Sequence, residues 1–280
     1  MRIVVTGGSG RIGSSLVTHL HALGHDVLSL DVVKPRQELP VPWKFVELAD
    51  RTALQPLLEG ADAVAHLGEL SFAGKDTPIN VFTRNTAAGV TVFQTASDLG
   101  IERVVYTSTC QVYALFGDFD FRDPPDVIPF TETYTASPRN AYGASKLANE
   151  MYAKYLGETH DLSIGVVRFP AVFLRDGWWV KRRTRPRPIE ECFELGTYIT
   201  IDDATRLLTM LLESRRPGCE VYHAAALDNA SPFSLTELAK SRGYEGPPIP
   251  DGVESLFDCA KLREHIGWTP QQTFTDLMDE

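Results

Sequence analysis

Residues 2–13, RIVVTGGSGRIG, place an unbroken apolar β-forming run directly against a cluster of glycines, and a helical pattern begins before the cluster ends. Few folds accept that junction. Glycine at 7, 10 and 13 permits a tight turn, close backbone approach to a pyrophosphate and close helix–strand packing, and the following helix N-terminus offers N–H donors to the anion. The same strand-then-helix rhythm continues for two thirds of the chain. Residues 3–6, 25–30, 63–67, 103–107 and 162–169 read as strands, several too uniformly apolar to have a wet face. Residues 12–23, 52–58, 80–99 and 142–159 carry the three-to-four-residue apolar spacing of helices. The alternation predicts a doubly wound α/β fold, a parallel sheet covered on both sides, with ligands at the carboxyl ends of its strands.

At 280 residues the chain has room for one large domain, or a main domain with a small appendage. Its 27 basic against 37 acidic side chains leave a net charge of −10, which repels polyanions and argues against a general nucleic-acid partner. No apolar run reaches the ~18 residues of a bilayer span, and the N-terminus lacks a signal-peptide layout, so no membrane partner and a cytoplasmic location are expected. Cys110, Cys192, Cys219 and Cys259 are scattered singly, which points to neither a disulfide scaffold nor a metal site. Two stretches break the rhythm. Residues 114–138 hold prolines, acids and aromatics without a period and read as a long loop over the sheet. Residues 170–197 leave the sheet and hold Trp178-Trp179 and the basic run Lys181, Arg182, Arg183, Arg185 and Arg187. That run suits a solvated loop, the alternative being an arginine site for a carboxylate or phosphate; the tryptophans suit local packing before a sugar-stacking platform.

Asp31 closes the second predicted strand. An acid there accepts both adenosine ribose hydroxyls and repels a 2′-phosphate, favouring NAD over NADP, while Arg11, Lys34 and Arg36 pull the other way. Further on, Tyr142 and Lys146 are four residues apart and share one helix face. A phenol is a poor acid–base catalyst at neutral pH, but a neighbouring ammonium favours its phenolate. Thr107, Ser108 and Thr109 cluster at the carboxyl end of the strand before that helix, where a hydroxyl can hold a substrate oxygen against the tyrosine.

With these motifs the chain resembles, over nearly its whole length, the extended short-chain dehydrogenase/reductase family, in its NAD-dependent epimerase/dehydratase group. Gly7, Gly10 and Gly13 fit the family's glycine motif, which brings Ser9, Arg11 and Ile12 with it, and Asp31 fits its ribose acid. Glu47 and Leu48 fall where the family has an acidic-apolar pair beside the adenine, and His66-Leu67-Gly68 matches its His-Leu-Ala. Asn85 matches the asparagine of its Asn-Val-x-Gly-Thr segment, and Thr109 its catalytic hydroxyl, with Ser108 as an assistant. Tyr142 and Lys146 match the catalytic pair; Arg168 and TYITIDDA match downstream segments, and DCAKLREHIGWTP the close of the chain. The resemblance implies a Rossmann-type fold, NAD as cofactor, cofactor contacts that extend to Thr107 and Phe169, and a homodimer through a helix pair that includes the tyrosine's helix.

Departures bear on substrate. Phe169-Pro170-Ala171 lacks the asparagine that many nucleotide-sugar epimerases place there, and Ala114 replaces a glycine. Only 29 residues, 169–197, separate Arg168 from Tyr198, a segment longer in typical nucleotide-sugar members. The shortening, with His-Leu-Gly, is similar to uronate dehydrogenases, although their basic residue for the substrate carboxylate has no counterpart by spacing. The reading is an NAD-binding Rossmann domain of residues 1–168 and 197–226, with 169–196 and 227–280 as a small substrate-binding part. Its expected reaction is hydride transfer at a carbinol carbon of a small sugar, sugar acid or polyol. A nucleotide-sugar epimerase or dehydratase is the alternative, and retention of both Tyr142 and Lys146 argues against a non-catalytic NAD-binding protein.

Overall fold

The computed structural model describes residues 1–71, 76–113, 125–175 and 188–278. The first half runs β1 (Arg2–Thr6), α1 (Arg11–Ala22), β2 (Asp26–Asp31), β3 (Trp43–Phe45), α2 (Arg51–Leu58), β4 (Ala63–His66), α3 (Pro78–Asp98) and β5 (Arg103–Thr109). The second half adds α4 (Ala141–Thr159), β6 (Ser163–Phe169), β7 (Ala171–Phe173), β8 (Tyr198–Thr200), α5 (Ile201–Glu213) and β9 (Gly218–His223). Short helices α6 (Leu235–Ser241), α7 (Ala260–Ile266) and α8 (Phe274–Met278) follow.

Among the described residues, seven strands form one sheet in the order β3-β2-β1-β4-β5-β6-β9, and each neighbouring pair is parallel. The chain first winds outward from β1 to β3, then restarts on the other side of β1 with β4. That reversal opens a crevice at the carboxyl ends of β1 and β4, the place where open α/β sheets bind ligands. Strand alternation explains why the apolar runs have no polar face: along β1, Ile3 and Val5 enter a core with Leu16 and Leu20 of α1 and Leu207, Leu208 and Leu211 of α5. Val4, between them, points to the opposite core, with Val92 and Phe93 of α3 and Leu156 of α4. Strands β3 and β9 extend the sheet at its two edges and have no strong signature of their own: Trp-Lys-Phe is three residues long, and Gly-Cys-Glu-Val-Tyr-His mixes charge with apolar residues.

Helix starts follow local cap chemistry. Asp50 accepts from the Ala53 N–H at α2, Asn140 from Gly143 at α4 and Thr200 from Asp203 at α5, and Ser234 and Glu237 form a capping box at α6. Helix α1 differs: its cap is Gly10, with no side chain bonded to the first turn and no acid in it.

The expected departure from the sheet after β6 is present. β7 pairs in parallel with β8 as a separate two-stranded sheet, while Trp178, Trp179 and the 181–187 basic run lie outside the described residues. Of the expected loop 114–138, residues 114–124 also lie outside them. Its later part packs beyond the strand ends: Ile128 and Phe130 join Cys110, Val112 and Tyr113 in a third core with Leu235, Leu238, Leu256 and Phe257. Trp268, fully buried, reaches back from the C-terminal region into the core beneath α1 and α5.

Candidate active site

At the end of β1 the chain turns on Gly7, whose φ of +70° is in the left-handed region that favours glycine. A Cβ there would stand 2.6 Å from the Gly68 nitrogen, so the tip of β1 lies directly against the segment that follows β4. Gly10 donates its N–H to the Gly7 carbonyl at 3.0 Å, and a Cβ on Gly13 would collide with that carbonyl. The turn therefore needs glycine at 7 and 13, while at Gly10 a Cβ would be tight but tolerable, 3.1 Å from the Gly7 carbonyl oxygen. Asp31, at the end of β2, accepts from the Ser9 N–H at 3.0 Å and from the Val33 N–H at 3.1 Å, which ties the glycine turn to the β2 loop.

These tips border a cleft of about 1550 Å³. Gly7, Ser9, Gly10, Arg11, Asp31, Glu47, Leu48, Leu67, Gly68 and Asn85 all line it. Ile12, half-buried, and Gly13, buried, support it from α1; His66 and Thr107 are buried beneath it, and Phe169 sits in the core at the end of β6. A dinucleotide fits these residues on structural grounds. The first turn of α1 presents backbone N–H groups without a side-chain cap, and the Ser9 hydroxyl is buried with no hydrogen-bond partner among the described residues. No cluster of potential metal ligands occurs among the described residues.

Beside the cleft, α4 brings Tyr142 and Lys146 to the end of β5. The Lys146 Nζ lies 5.6 Å from the Tyr142 ring centre, and the Thr109 hydroxyl, which accepts from the Gln111 N–H at 3.2 Å, acts on the Tyr142 phenol in favour of its phenolate. Lys146 is buried; it donates to the Thr107 carbonyl at 2.5 Å and pairs with Glu69 at 2.7 Å. Asn85 holds the entrance. It accepts from the Leu70 N–H at 2.8 Å, donates to the Leu70 carbonyl at 3.0 Å, and donates to Ser145 on α4 at 3.2 Å.

The hydroxyl cluster on β5 is divided by strand alternation. Thr109 lies on the side of Tyr142, and Thr107 donates to the His66 carbonyl at 3.4 Å. Ser108 points the other way and donates to Glu150, which also receives the Arg168 guanidinium. Desolvation raises the Tyr142 phenol above its ordinary value; Lys146 and Thr109 oppose the rise, and Glu69 adds to it. Burial would depress the Lys146 ammonium, but the Glu69 and Tyr142 charges outweigh it and the net shift is upward. Glu69 shows the reverse balance, its carboxyl being held down to about 2 by Lys146 and His66 against the cost of burial.

The sequence model of the NAD dependent epimerase/dehydratase family matches residues 3–177, the span that carries the glycine turn, Asp31, Thr109, Tyr142 and Lys146. The chain belongs to that family. A UDP-glucose 4-epimerase of Corynebacterium glutamicum is 25% identical over 98% of this chain and 92% of its own length. Among solved structures, a UDP-galactose 4-epimerase superposes with a TM-score of 0.73 at 25% identity, covering 99% of this chain and 96% of its own. A mutated uronate dehydrogenase shares the fold, with a TM-score of 0.71 at 24% identity over 99% of this chain and 84% of its own. Membership in the extended short-chain dehydrogenase/reductase group, the Rossmann-type fold and the NAD-dependent enzyme class are thereby borne out.

Glu69, Tyr106 and Asn149 were not singled out by sequence reasoning. An acid immediately after the His-Leu-Gly of an apolar strand end is the one signal that could have marked Glu69.

Proposed function

We propose that this epimerase/dehydratase-family member is an NAD-dependent dehydrogenase acting at a carbinol carbon of a small sugar, sugar acid or polyol. The observation that carries the chemistry is the buried Lys146 ammonium 5.6 Å from the Tyr142 ring centre, with Thr109 at the end of β5 on the side of the phenol. When bound, NAD supplies the acceptor for the hydride. Tyr142 takes the hydroxyl proton of the substrate, Thr109 orients the same oxygen, and Lys146 favours the phenolate and holds the nicotinamide ribose. Ser108, expected as an assistant to Thr109, instead faces Glu150 and Arg168 on the other side of β5 and supports the strand rather than the reacting oxygen. Gly7, Gly10, Gly13 and the first turn of α1 hold the pyrophosphate, and Asp31 takes the adenosine ribose hydroxyls, selecting NAD over NADP.

Substrate size rests on the segment between β6 and β8. Ala171 begins β7 immediately after Pro170, and the chain has returned to β8 by Tyr198, which leaves few residues to enclose a nucleotide. A diphosphate left in solvent contributes little binding free energy. On this reading residues 169–196 and 227–280 make up the small substrate-binding part, while Leu262 and Trp268 within it pack back into the core of the main sheet.

The UDP-sugar epimerase relatives favour a second reading, in which NAD takes the hydride of a nucleotide sugar and gives it back before product leaves, while Tyr142 takes and returns the hydroxyl proton. A screen of sugars, sugar acids and nucleotide sugars for NADH formation separates the two. Net NADH from a free sugar or sugar acid supports the dehydrogenase. Micromolar binding of UDP, GDP or dTDP with NAD present, measured by calorimetric titration, overturns the small-substrate reading and puts the epimerase first.

A further inference from the structure

The carboxylate of Glu69 lies where the tyrosine–lysine pair would otherwise face apolar core. Its side chain is only 2% exposed, and donors reach it from two elements, Lys146 at 2.7 Å and Asn149 at 2.7 Å from α4 and Tyr106 at 3.1 Å from β5, with the His66 Nε2 of β4 lying 3.3 Å away. The turn that aims it inward is closed by its own N–H on the Leu67 carbonyl and clamped through Leu70 by both ends of the Asn85 amide. A buried ion pair of this kind is poor value as a stabilising device, because desolvating two charges roughly cancels their attraction and an apolar pair of similar volume does as well. Its location beside Tyr142 gives it a different use.

We propose that Glu69 is a positioning residue for the Tyr142–Lys146 pair: it pins the Lys146 ammonium against the Thr107 carbonyl and screens part of its charge from the phenol. This rests on the reading of Tyr142 as the proton acceptor. Tyr142 then faces a nearly neutral pair rather than a bare cation, and keeps its proton more firmly than lysine alone would allow. Among the described residues the other groups acting on Tyr142 are Thr109, Cys110, which has the Glu194 carboxylate beside it, and the Tyr106 phenol, itself bonded to Glu69; Glu150, one turn along α4, also acts on Lys146. None of these supplies a carboxylate in direct contact with the ammonium, as Glu69 does.

The test is a phenolate absorbance titration of the cofactor-free protein, with circular dichroism at each pH to confirm the fold. The Tyr142 contribution is isolated by subtracting Tyr142→Phe from wild type, and the double variant Glu69→Gln/Tyr142→Phe from Glu69→Gln. Glu69→Gln keeps the shape and one acceptor oxygen, exchanges the other for an NH2 donor and removes the charge, and the Tyr142 midpoint should fall by on the order of one pH unit. Glu69→Asp keeps the charge one methylene further from Lys146 and should fall between the two. A Tyr142 midpoint that stays or rises in Glu69→Gln overturns the proposal, whatever happens to the melting temperature. If only the aspartate variant folds, a wild-type midpoint in it does the same. The titration uses neither substrate nor cofactor, so an empty sugar screen would defeat the proposed function without touching this result. Where turnover is found, the alkaline-rising limb of kcat should move to lower pH in Glu69→Gln.

Discussion

Helix α4 carries two buried ion pairs one turn apart, and they behave differently. Lys146 reaches Glu69 and a backbone carbonyl; Glu150, four residues on, receives Arg168 from β6. Both pairs are almost completely shielded, so burial does not distinguish them. The Arg168 guanidinium grips Glu150 through Nε at 3.1 Å and Nη2 at 2.6 Å, with Ser108 and Tyr113 closing the network. A planar fork held on both sides is locked, and arginine does not titrate in the working range. The Lys146 ammonium is a point charge between a carboxylate, a carbonyl and two aromatic rings, one of them the Tyr142 phenol. What surrounds the pair, more than its depth, separates a support from a working group.

That contrast breaks first on activity. Tyr142→Phe should lower kcat by about 10²–10⁴-fold with NAD affinity nearly intact, since only the transferable proton is lost. Lys146→Met should lose as much and bind NAD more weakly by fluorescence titration. A tyrosine variant within a few-fold of wild type would mean that the two pairs do not differ in kind.

The Arg168 pair should respond on stability instead. Arg168→Leu leaves Glu150 charged and buried, which should cost about 3–5 kcal/mol in denaturant unfolding, and Glu150→Leu added to it should recover most of that. No recovery in the double variant would show that Arg168 acts through something other than Glu150.

Acid sharpens the comparison further. The Glu69 carboxyl is held at about 2 in the folded chain against an ordinary 4.5. A group with a depressed folded value stabilises the fold above the unfolded value and loses that contribution as pH falls through the folded one. Glu69 should therefore give up on the order of 3 kcal/mol between pH 4.5 and about 2. Stability of Glu69→Gln should fall less steeply across that window; equal slopes in the two proteins would refute the depressed carboxyl.

The smallest effect concerns the opposite side of the cleft, where Asp31, half-buried, accepts from the Ser9 and Val33 N–H groups. Asp31→Ser should shift the NADP/NAD ratio of kcat/KM toward NADP by about 1–3 kcal/mol. A wild-type enzyme that already prefers NADP, with Arg11, Lys34 or Arg36 on the phosphate, would reverse the cofactor assignment.

The sequence by itself determined whatever depends on neighbours along the chain. The strand–glycine–helix junction at 2–13, the apolar uniformity of β1, β4 and β6, and the Tyr142–Lys146 spacing are all written within a few residues, because turn geometry and helical or strand period are local properties. Tertiary structure decided what depends on which elements become neighbours. Ser108 and Thr109 are adjacent in sequence, yet alternation on β5 sends one to Glu150 and the other to Tyr142. Glu69 meets Lys146 only because β4 lies beside β5 in the sheet order and α4 packs across their ends. Strand β9 gains its place by pairing with β6, through backbone hydrogen bonds that carry no residue signature. Long-range pairing is set by sheet order and by the packing of separate surfaces, quantities that no window of the sequence contains.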